Sequence, residues 1–403
     1  MIDLNKIEDA YGRIKDVVVK TPFAYAPILS KRVKKEVFLK KENLQTTGAF
    51  KIRGAFNKIS RLSEDEKERG VVAASAGNHA QGVAFSASYY GVDATIVMPE
   101  NTPLTKINGV KSYGAKVLLH GSNYDEAYMY AIEYAKSEGK VFIHPFADDD
   151  VMAGQGTVAL EILQEISDLD AVVVPVGGGG LIAGVASAIK QKNPDIKVIG
   201  VTAAGAPAMR NSFLLGRPVD STDVRTIADG IAVRDTSKKT LDIILKSVDD
   251  MVEVDDEEIA DAILFLLENQ KLLVEGAGAV GVAALLYDKL NLPDSAKVAV
   301  ILSGGNIDVT MLNVIIEKGL IKSYRKMKLI VTLIDKPGSL MKLTQLLAQV
   351  SANIVSIGYD RTSAKLAFGD ANVSIALETK GREHQEQIRS LLSRNGYRFF
   401  EER

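Results

Sequence analysis

The sequence predicts an α/β protein, an open and largely parallel sheet layered with helices, followed by a small ferredoxin-like βαββαβ domain. Three observations lead there. From about Val37 to Gly319, short β-branched runs alternate with amphipathic helical stretches. Several of these runs are apolar nearly throughout, as parallel strands covered on both faces are. After the lysine-rich stretch EKGLIKSYRKMK the rhythm changes to strand, helix, strand, strand, helix, strand within about 75 residues.

Taken in order, VFLKKE, GVVAAS, DATIVMP, AKVLLHG, AVVVPVG, IKVIGVT and KVAVILSGG read as strands, with helix-like segments such as NHAQGVAFSASYY and GTVALEILQEI between them. In such sheets ligands gather at the carboxyl ends of the strands. The tail then reads KLIVTLID as a strand, KPGS as a turn and LMKLTQLLAQV as a helix. NIVSIGYD and ANVSIALETK follow as strands, EHQEQIRSLLSR as a helix and GYRFFEE as the closing strand. The boundary falls near Ile321, giving residues 1–320 as one segment, 321–326 as a linker and 327–403 as the C-terminal domain.

A chain of 403 residues exceeds one compact core in most architectures, so two or three domains are expected. The 49 basic and 51 acidic residues are interspersed, which gives no extended basic face for nucleic acid or anionic lipid. Small-molecule chemistry is the default. Cysteine is absent, which excludes disulfides, thiolate metal sites and a cysteine nucleophile together. The histidines, His79, His120, His144 and His384, lack metal-ligand spacing, so no histidine-built zinc site is expected. No apolar run reaches membrane-spanning length and MIDLNKIEDAYGRIK resembles no leader, so a soluble cytoplasmic protein is expected.

Three glycine turns carry the chemistry. Gly177, Gly178, Gly179 and Gly180 follow the strand AVVVPV and precede LIAGVASAIK, a plausible helix. A tight turn explains one or two glycines. Four carry a large entropic cost, and converging N–H groups at a helix start favour an anion, most economically a phosphate. No lysine and Ser/Thr follow the glycines as a P-loop requires, and IKVIGVTAA ends without the acidic residue of a dinucleotide fold. In SAGNHAQG, Ser75 and Asn78 either hold a carboxylate or cap a helix. In SGGN, Ser303 either faces a ligand heteroatom or caps. With GAG at Gly276 to Gly278, these junctions suggest one crevice lined by all of them. Lys51, in TTGAFKIRGAFN, is then either an ordinary helix lysine or an amine held for chemistry. A phosphate cradle, a carboxylate loop and a lysine together point to a Schiff base with pyridoxal phosphate.

The segments ENLQTTGAFKIRGAFN, SAGNHAQGVA, HPF with AGQGT, VPVGGGGL, TIADGIAV and LSGGN together resemble the fold-type II pyridoxal phosphate enzymes, specifically the threonine (serine) dehydratases or threonine ammonia-lyases. The resemblance covers residues 1 to 320 and implies two α/β lobes. It implies that Lys51 carries the cofactor and removes the substrate's Cα proton, and that Gly177 to Gly180 with Leu181 cradle the phosphate. It also implies that Asn78 meets the cofactor's ring hydroxyl, that Ser303 faces the pyridine nitrogen and that Phe50 flanks the ring. Ser75, Asn78 and His79 would hold the substrate carboxylate. The activity implied is conversion of L-threonine to 2-oxobutanoate and ammonia, with L-serine to pyruvate secondary.

Departures sharpen this expectation. Ala49 stands where many relatives have serine. Ala76 stands where related serine racemases carry a second acid–base serine, so racemisation should be weak. Thr202 and Ala208 occupy the places of the racemases' cation-binding acids, so no magnesium site is expected. Rivals are a serine-specific dehydratase or racemase of the same fold and, from another class, a non-catalytic amino-acid sensor.

The tail resembles an ACT domain through DKPGSL and Ala352–Asn353–Ile354. That resemblance implies a homo-oligomer and an amino-acid effector, isoleucine first among those to test, met by Asp335, Gly338, Leu340, Asn353 and Ile354. The alternative is a purely structural dimerisation domain.

Overall fold

The computed structural model describes residues 1–363 and 366–402. The chain divides into two units, Met1–Ile307 and Asp308–Arg403.

In the first unit the strands are β1 (Phe23–Tyr25), β2 (Glu36–Lys40), β3 (Val71–Ala74), β4 (Ala94–Met98), β5 (Lys116–Leu119), β6 (Val141–Phe142), β7 (Ala171–Pro175), β8 (Lys197–Ala203), β9 (Asp250–Val254) and β10 (Lys297–Ile301). They form two sheets, ordered β1-β2-β10-β7-β8-β9 and β5-β4-β3-β6. All pairings are parallel except β1 with β2. Every residue of β3, β4 and β7 is buried, which explains their unbroken apolar sequences. Each sheet has its own core, one around Val172, Val174 and Ile182 and one around Val71, Ala73 and Ile96, so this unit has two α/β lobes.

Two helices in the larger core pack closely because small residues meet there. A Cβ added to Gly184 would lie 2.7 Å from the Gly156 nitrogen. These helices are Asp149–Glu165, opened by Asp148 capping the Asp150 and Val151 amides, and Gly180–Lys192.

The sequence reading missed β1, β6 and β9. The first two have three and two residues, too few for alternation to register, and β9 (DMVEV) carries charges at Asp250 and Glu253. AGQGT lies inside the Asp149–Glu165 helix, which starts about two turns earlier than GTVALEILQEI suggests. SGGN is a loop and opens no helix: the next helix, Val309–Lys322, starts under an Asp308 cap.

The second unit begins with that helix, so the segment expected to close the first unit groups with the tail. The expected linker 321–326 holds the end of this helix and the first residue of β11 (Lys326–Ile334). With β12 (Asn353–Asp360), β13 (Asp370–Glu378) and β14 (Arg398–Glu402), and helices Ser339–Gln349 and Arg382–Arg394, the order is βαββαβ. The antiparallel sheet is ordered β12-β13-β11-β14, the ferredoxin-like arrangement. Alternation along β11 sends Met327, Leu329, Val331 and Leu333 into a core shared with Leu343, Leu347, Ile388 and Leu392.

Candidate active site

Lys51 is the first residue of the helix Lys51–Ser60, reached through a turn in which Gly48 has φ +73°. This turn is stitched to the loop after β10. The Phe50 N–H donates to the Ser303 carbonyl at 3.0 Å and the Gly305 N–H to the Gly48 carbonyl at 2.8 Å. Lys51 therefore stands beside the carboxyl end of β10, where an open sheet places its ligands. Its side chain is half-buried, 5.5 Å from the Phe50 ring centre, and Nζ donates to the Pro145 carbonyl at 3.0 Å. Burial pushes the amine down to about 8, against the pull of the Glu275 carboxylate.

The glycine loop joins β7 to the Gly180–Lys192 helix. Gly179 sits at φ +84°, where other residues are strained. An added Cβ at Gly178 would run into the Phe146 ring, and one at Gly180 would lie 2.8 Å from the Phe146 Cα. At Gly177 it would meet the Ile231 Cα at 2.8 Å. Thr240 Oγ1 pins the loop by donating to the Gly178 carbonyl at 2.9 Å. First-turn N–H groups, those of Gly180 and the buried Leu181 included, have no acceptor within the helix, so an anion here meets converging donors at the positive end of a dipole.

His144 shapes the loop that carries Pro145 and Phe146. Its Nδ1 accepts from the Phe146 and Ala147 amides at 3.2 and 2.9 Å, and its ring meets Phe146 edge-on at 4.7 Å. Burial and the Lys51 charge push it down to about 4, so it acts as a neutral acceptor.

In SAGNHAQG neither Ser75 nor Asn78 caps the helix Asn78–Tyr90, whose N-cap is Gly77 with no side-chain bond. Ser75 Oγ accepts from the Gly77 amide at 3.1 Å. Asn78 Nδ2 donates to Glu275 Oε1 at 2.7 Å, and its Oδ1 accepts from Asn306 Nδ2 at 2.8 Å. The His79 ring is buried and turned to the Ile143 carbonyl, to which Nε2 donates at 2.9 Å, leaving Nδ1 without a partner. Desolvation and the Lys51 charge push this ring down to about 3, so it is neutral. Its backbone amide, in the first turn of a helix, is then the better donor to a carboxylate.

Sequence reasoning passed over Glu275, Asn306, Pro145 and Phe146. Glu275 is 3% exposed, and burial with the Asp229 charge pushes its carboxyl up to about 7, opposed by the Asn78 hydrogen bond. A signal for it was present: it is the one acid in LLVEGAGAVGVAALL.

Contacts thus link Lys51, Phe50, Ser303, Asn78 and the glycine loop. Residues 14–304 match the profile of a family described as pyridoxal-phosphate dependent enzyme. The chain belongs to this family. It is 50% identical over 397 residues to an L-threonine ammonia-lyase of Thermotoga maritima, covering 98% of both chains. Among solved structures it resembles the processed form of threonine deaminase isoform 2 from Solanum lycopersicum, with 39% identity, TM-score 0.75 and coverage of 78% of this chain and 87% of that one. It also resembles maize serine racemase, with 36% identity, TM-score 0.75 and coverage of 80% and 99%. Pyridoxal phosphate is therefore the cofactor, and the residues present fit it: a desolvated lysine amine stands near a glycine cradle that any Cβ would fill.

In the second unit the five residues expected to meet an effector do not come together within one chain. Asp335 follows β11, with its Oδ1 accepting from Tyr359 Oη at 2.9 Å and paired with Arg361 at 3.4 Å. Gly338 (φ +86°) precedes the Ser339–Gln349 helix, and Leu340 packs in its first turn against the core. Asn353 and Ile354 begin β12, where Asn353 pairs with Glu378, whereas Ile334 at the end of β11 pairs with Asp370. The eleven-residue helix carries the chain back along the sheet, so the two groups lie at opposite ends of it. Among the described residues no helix is long and apolar enough to cross a membrane.

Proposed function

We propose that the protein is a threonine ammonia-lyase that converts L-threonine to 2-oxobutanoate and ammonia, with L-serine to pyruvate as a secondary reaction. The observation that carries this reading is the 50% identity to an L-threonine ammonia-lyase along 98% of both chains. When bound, the cofactor condenses with amino groups through its aldehyde and withdraws electrons from the carbon that loses its proton. The chain's own residues do the rest. Lys51 Nζ, desolvated and aimed by the Pro145 carbonyl, holds the cofactor and takes the substrate's Cα proton. The amides of Gly177 to Leu181 receive the phosphate, Asn78 meets the ring hydroxyl, Ser303 faces the ring nitrogen and Phe50 flanks the ring. Ser75, Asn78 and the His79 backbone amide hold the substrate carboxylate. Loss of the β-hydroxyl as water and later hydrolysis complete the balance, with no net gain of water.

The likeness to maize serine racemase raises racemisation as a second reading. Ala76 argues against it, because it offers no proton donor for the opposite face of Cα. One assay separates the readings: purified holoprotein is given L-threonine and L-serine while ammonia, oxo acid and D-amino acid are measured. Ammonia with negligible D-product is expected. No ammonia from either substrate overturns the proposal.

The same reading gives residues 1–320 to catalysis and 327–403 to an ACT regulatory domain in a cytoplasmic homo-oligomer, with isoleucine as the first effector to test. An effector must bind two states of the protein with different affinity to act.

A further inference from the structure

We propose that Glu275 and Asn306 are positioning residues that fix the side-chain orientation of Asn78 in the cofactor site. The inference rests on the placement of Asn78 against the cofactor proposed above.

The orientation is read from both ends of a hydrogen-bond chain. The Thr47 carbonyl can only accept, and it takes a hydrogen from Asn306 Nδ2 at 2.8 Å. The other hydrogen of that nitrogen goes to Asn78 Oδ1 at 2.8 Å. Asn306 therefore spends both donors, and the Asn78 oxygen must face it. At the other end the Glu275 carboxyl accepts from Asn78 Nδ2 at 2.7 Å. Both ends demand the same amide orientation, and one Nδ2 hydrogen is left over for a ligand. A carboxyl offers an acceptor oxygen whether ionised or protonated, so the arrangement persists although Glu275 is pushed up to about 7.

Glycine backbones pack closely against the chain. A Cβ added to Gly304 would lie 2.8 Å from Glu275 Cδ, one on Gly230 3.1 Å from Glu275 Oε1, and one on Gly48 2.9 Å from Asn306 Cγ. Three glycines from three separate motifs thus clear the space that these two side chains occupy. Asn78 follows β3 of the smaller sheet, while Glu275 and Asn306 belong to segments beside the larger one. Without its two partners the amide would be a half-exposed rotor on the far lobe.

The test is a double-mutant cycle on cofactor binding. Apoproteins are titrated with pyridoxal phosphate, the dissociation constant is measured by equilibrium dialysis, and the position of the visible absorbance band is recorded. Glu275→Ala and Asn306→Ala should each weaken binding about tenfold, as loss of a hydrogen bond to a charged or buried partner does. Glu275→Gln, which keeps an acceptor oxygen, should recover most of the loss. Combining either alanine change with Asn78→Ala should weaken binding no further than Asn78→Ala alone. Additive losses would mean that Glu275 and Asn306 act on the cofactor or on Lys51 directly, and would overturn the inference. If Glu275→Ala fails to fold, the Asn306–Asn78 cycle decides in the same way. A wild-type apoprotein that takes up no cofactor overturns the functional reading and this inference with it. A wild type that binds, with additive double variants, overturns the inference alone.

Discussion

Lys51 Nζ donates to the Pro145 carbonyl at 3.0 Å, across 94 residues of chain. A neutral carbonyl aims the amine without compensating for lost hydration as a carboxylate would, so burial prevails and the group titrates near about 8. Only the free amine attacks an aldehyde, so condensation of the apoprotein with pyridoxal phosphate should quicken with pH and level off above about 8. Lys51→Ala should abolish the visible band and reduce ammonia release about a thousandfold or more. The stability consequence has a definite sign. Between about 8 and the ordinary lysine value of 10.5 the unfolded chain binds more protons than the folded one, so apoprotein stability should rise through this window. Denaturant titrations of wild type and Lys51→Met across it should diverge, with the variant lacking the rise.

Phe146 lies against two glycines in different ways, and this separates their substitutions. At Gly178 an added Cβ meets the Phe146 ring, whereas at Gly180 it meets the Phe146 backbone. Gly178→Ala should weaken cofactor binding and destabilise the fold by about 1–3 kcal/mol, and adding Phe146→Ala should relieve much of that overlap. Gly180→Ala should be as harmful and should not be relieved. Equal rescue of both variants, read from melting curves and cofactor titrations, would contradict this geometry.

How much of this was legible beforehand follows from the range of each contact. The buried strands and the glycine loop announce themselves locally, through unbroken apolar runs and four adjacent glycines. Glu275, Asn306 and Pro145 act through partners 197, 228 and 94 residues away, and no local pattern encodes such a meeting. Helix capping for Ser75 and Asn78 could not be decided from sequence because both residue types cap well. The structure decides it through the Gly77 cap and the commitments of Asn78. Matching two motifs to a domain likewise says nothing about which ends of its sheet they occupy, and that placement is read from the strand register alone.

Two residues beyond Lys51, Arg53 is fully buried and held by two carboxylates. Its Nε and Nη2 donate to Glu42 at 2.8 Å each, and its Nη1 donates to Glu161 at 2.7 Å. Lys40 Nζ completes the cluster with bonds to Glu161 at 2.5 Å and to the Thr21 carbonyl at 2.7 Å. Arg53→Met should destabilise the protein by about 3–5 kcal/mol, because it strands Glu42 in a dry site, and adding Glu42→Gln should recover part of this. Burial pushes the Glu42 carboxyl up, but the charge and hydrogen bonds of Arg53 outweigh it and hold the group below the usual carboxylate range. Its stabilisation is therefore present at neutral pH and lost on acidification through that lowered value. Acid unfolding of wild type and Glu42→Gln should differ accordingly.

Every residue assigned to the chemistry, from Phe50 to Ser303, precedes the unit that begins at Asp308. Maize serine racemase is matched over 99% of its length by 80% of this chain, and the matching family profile ends at residue 304. A chain ending at Ile321 should keep ammonia release within about threefold of the full chain while losing any response to isoleucine. A chain ending at Ile307 also removes the Val309–Lys322 helix, which groups with the second unit, and should behave the same. Activity in the first and a folded but inactive protein in the second would assign that helix to the catalytic segment and restore the boundary at 320. Two folded, inactive truncations would instead make the tail a structural partner of the active site, and steady-state rates with circular dichroism on the three chains distinguish these outcomes.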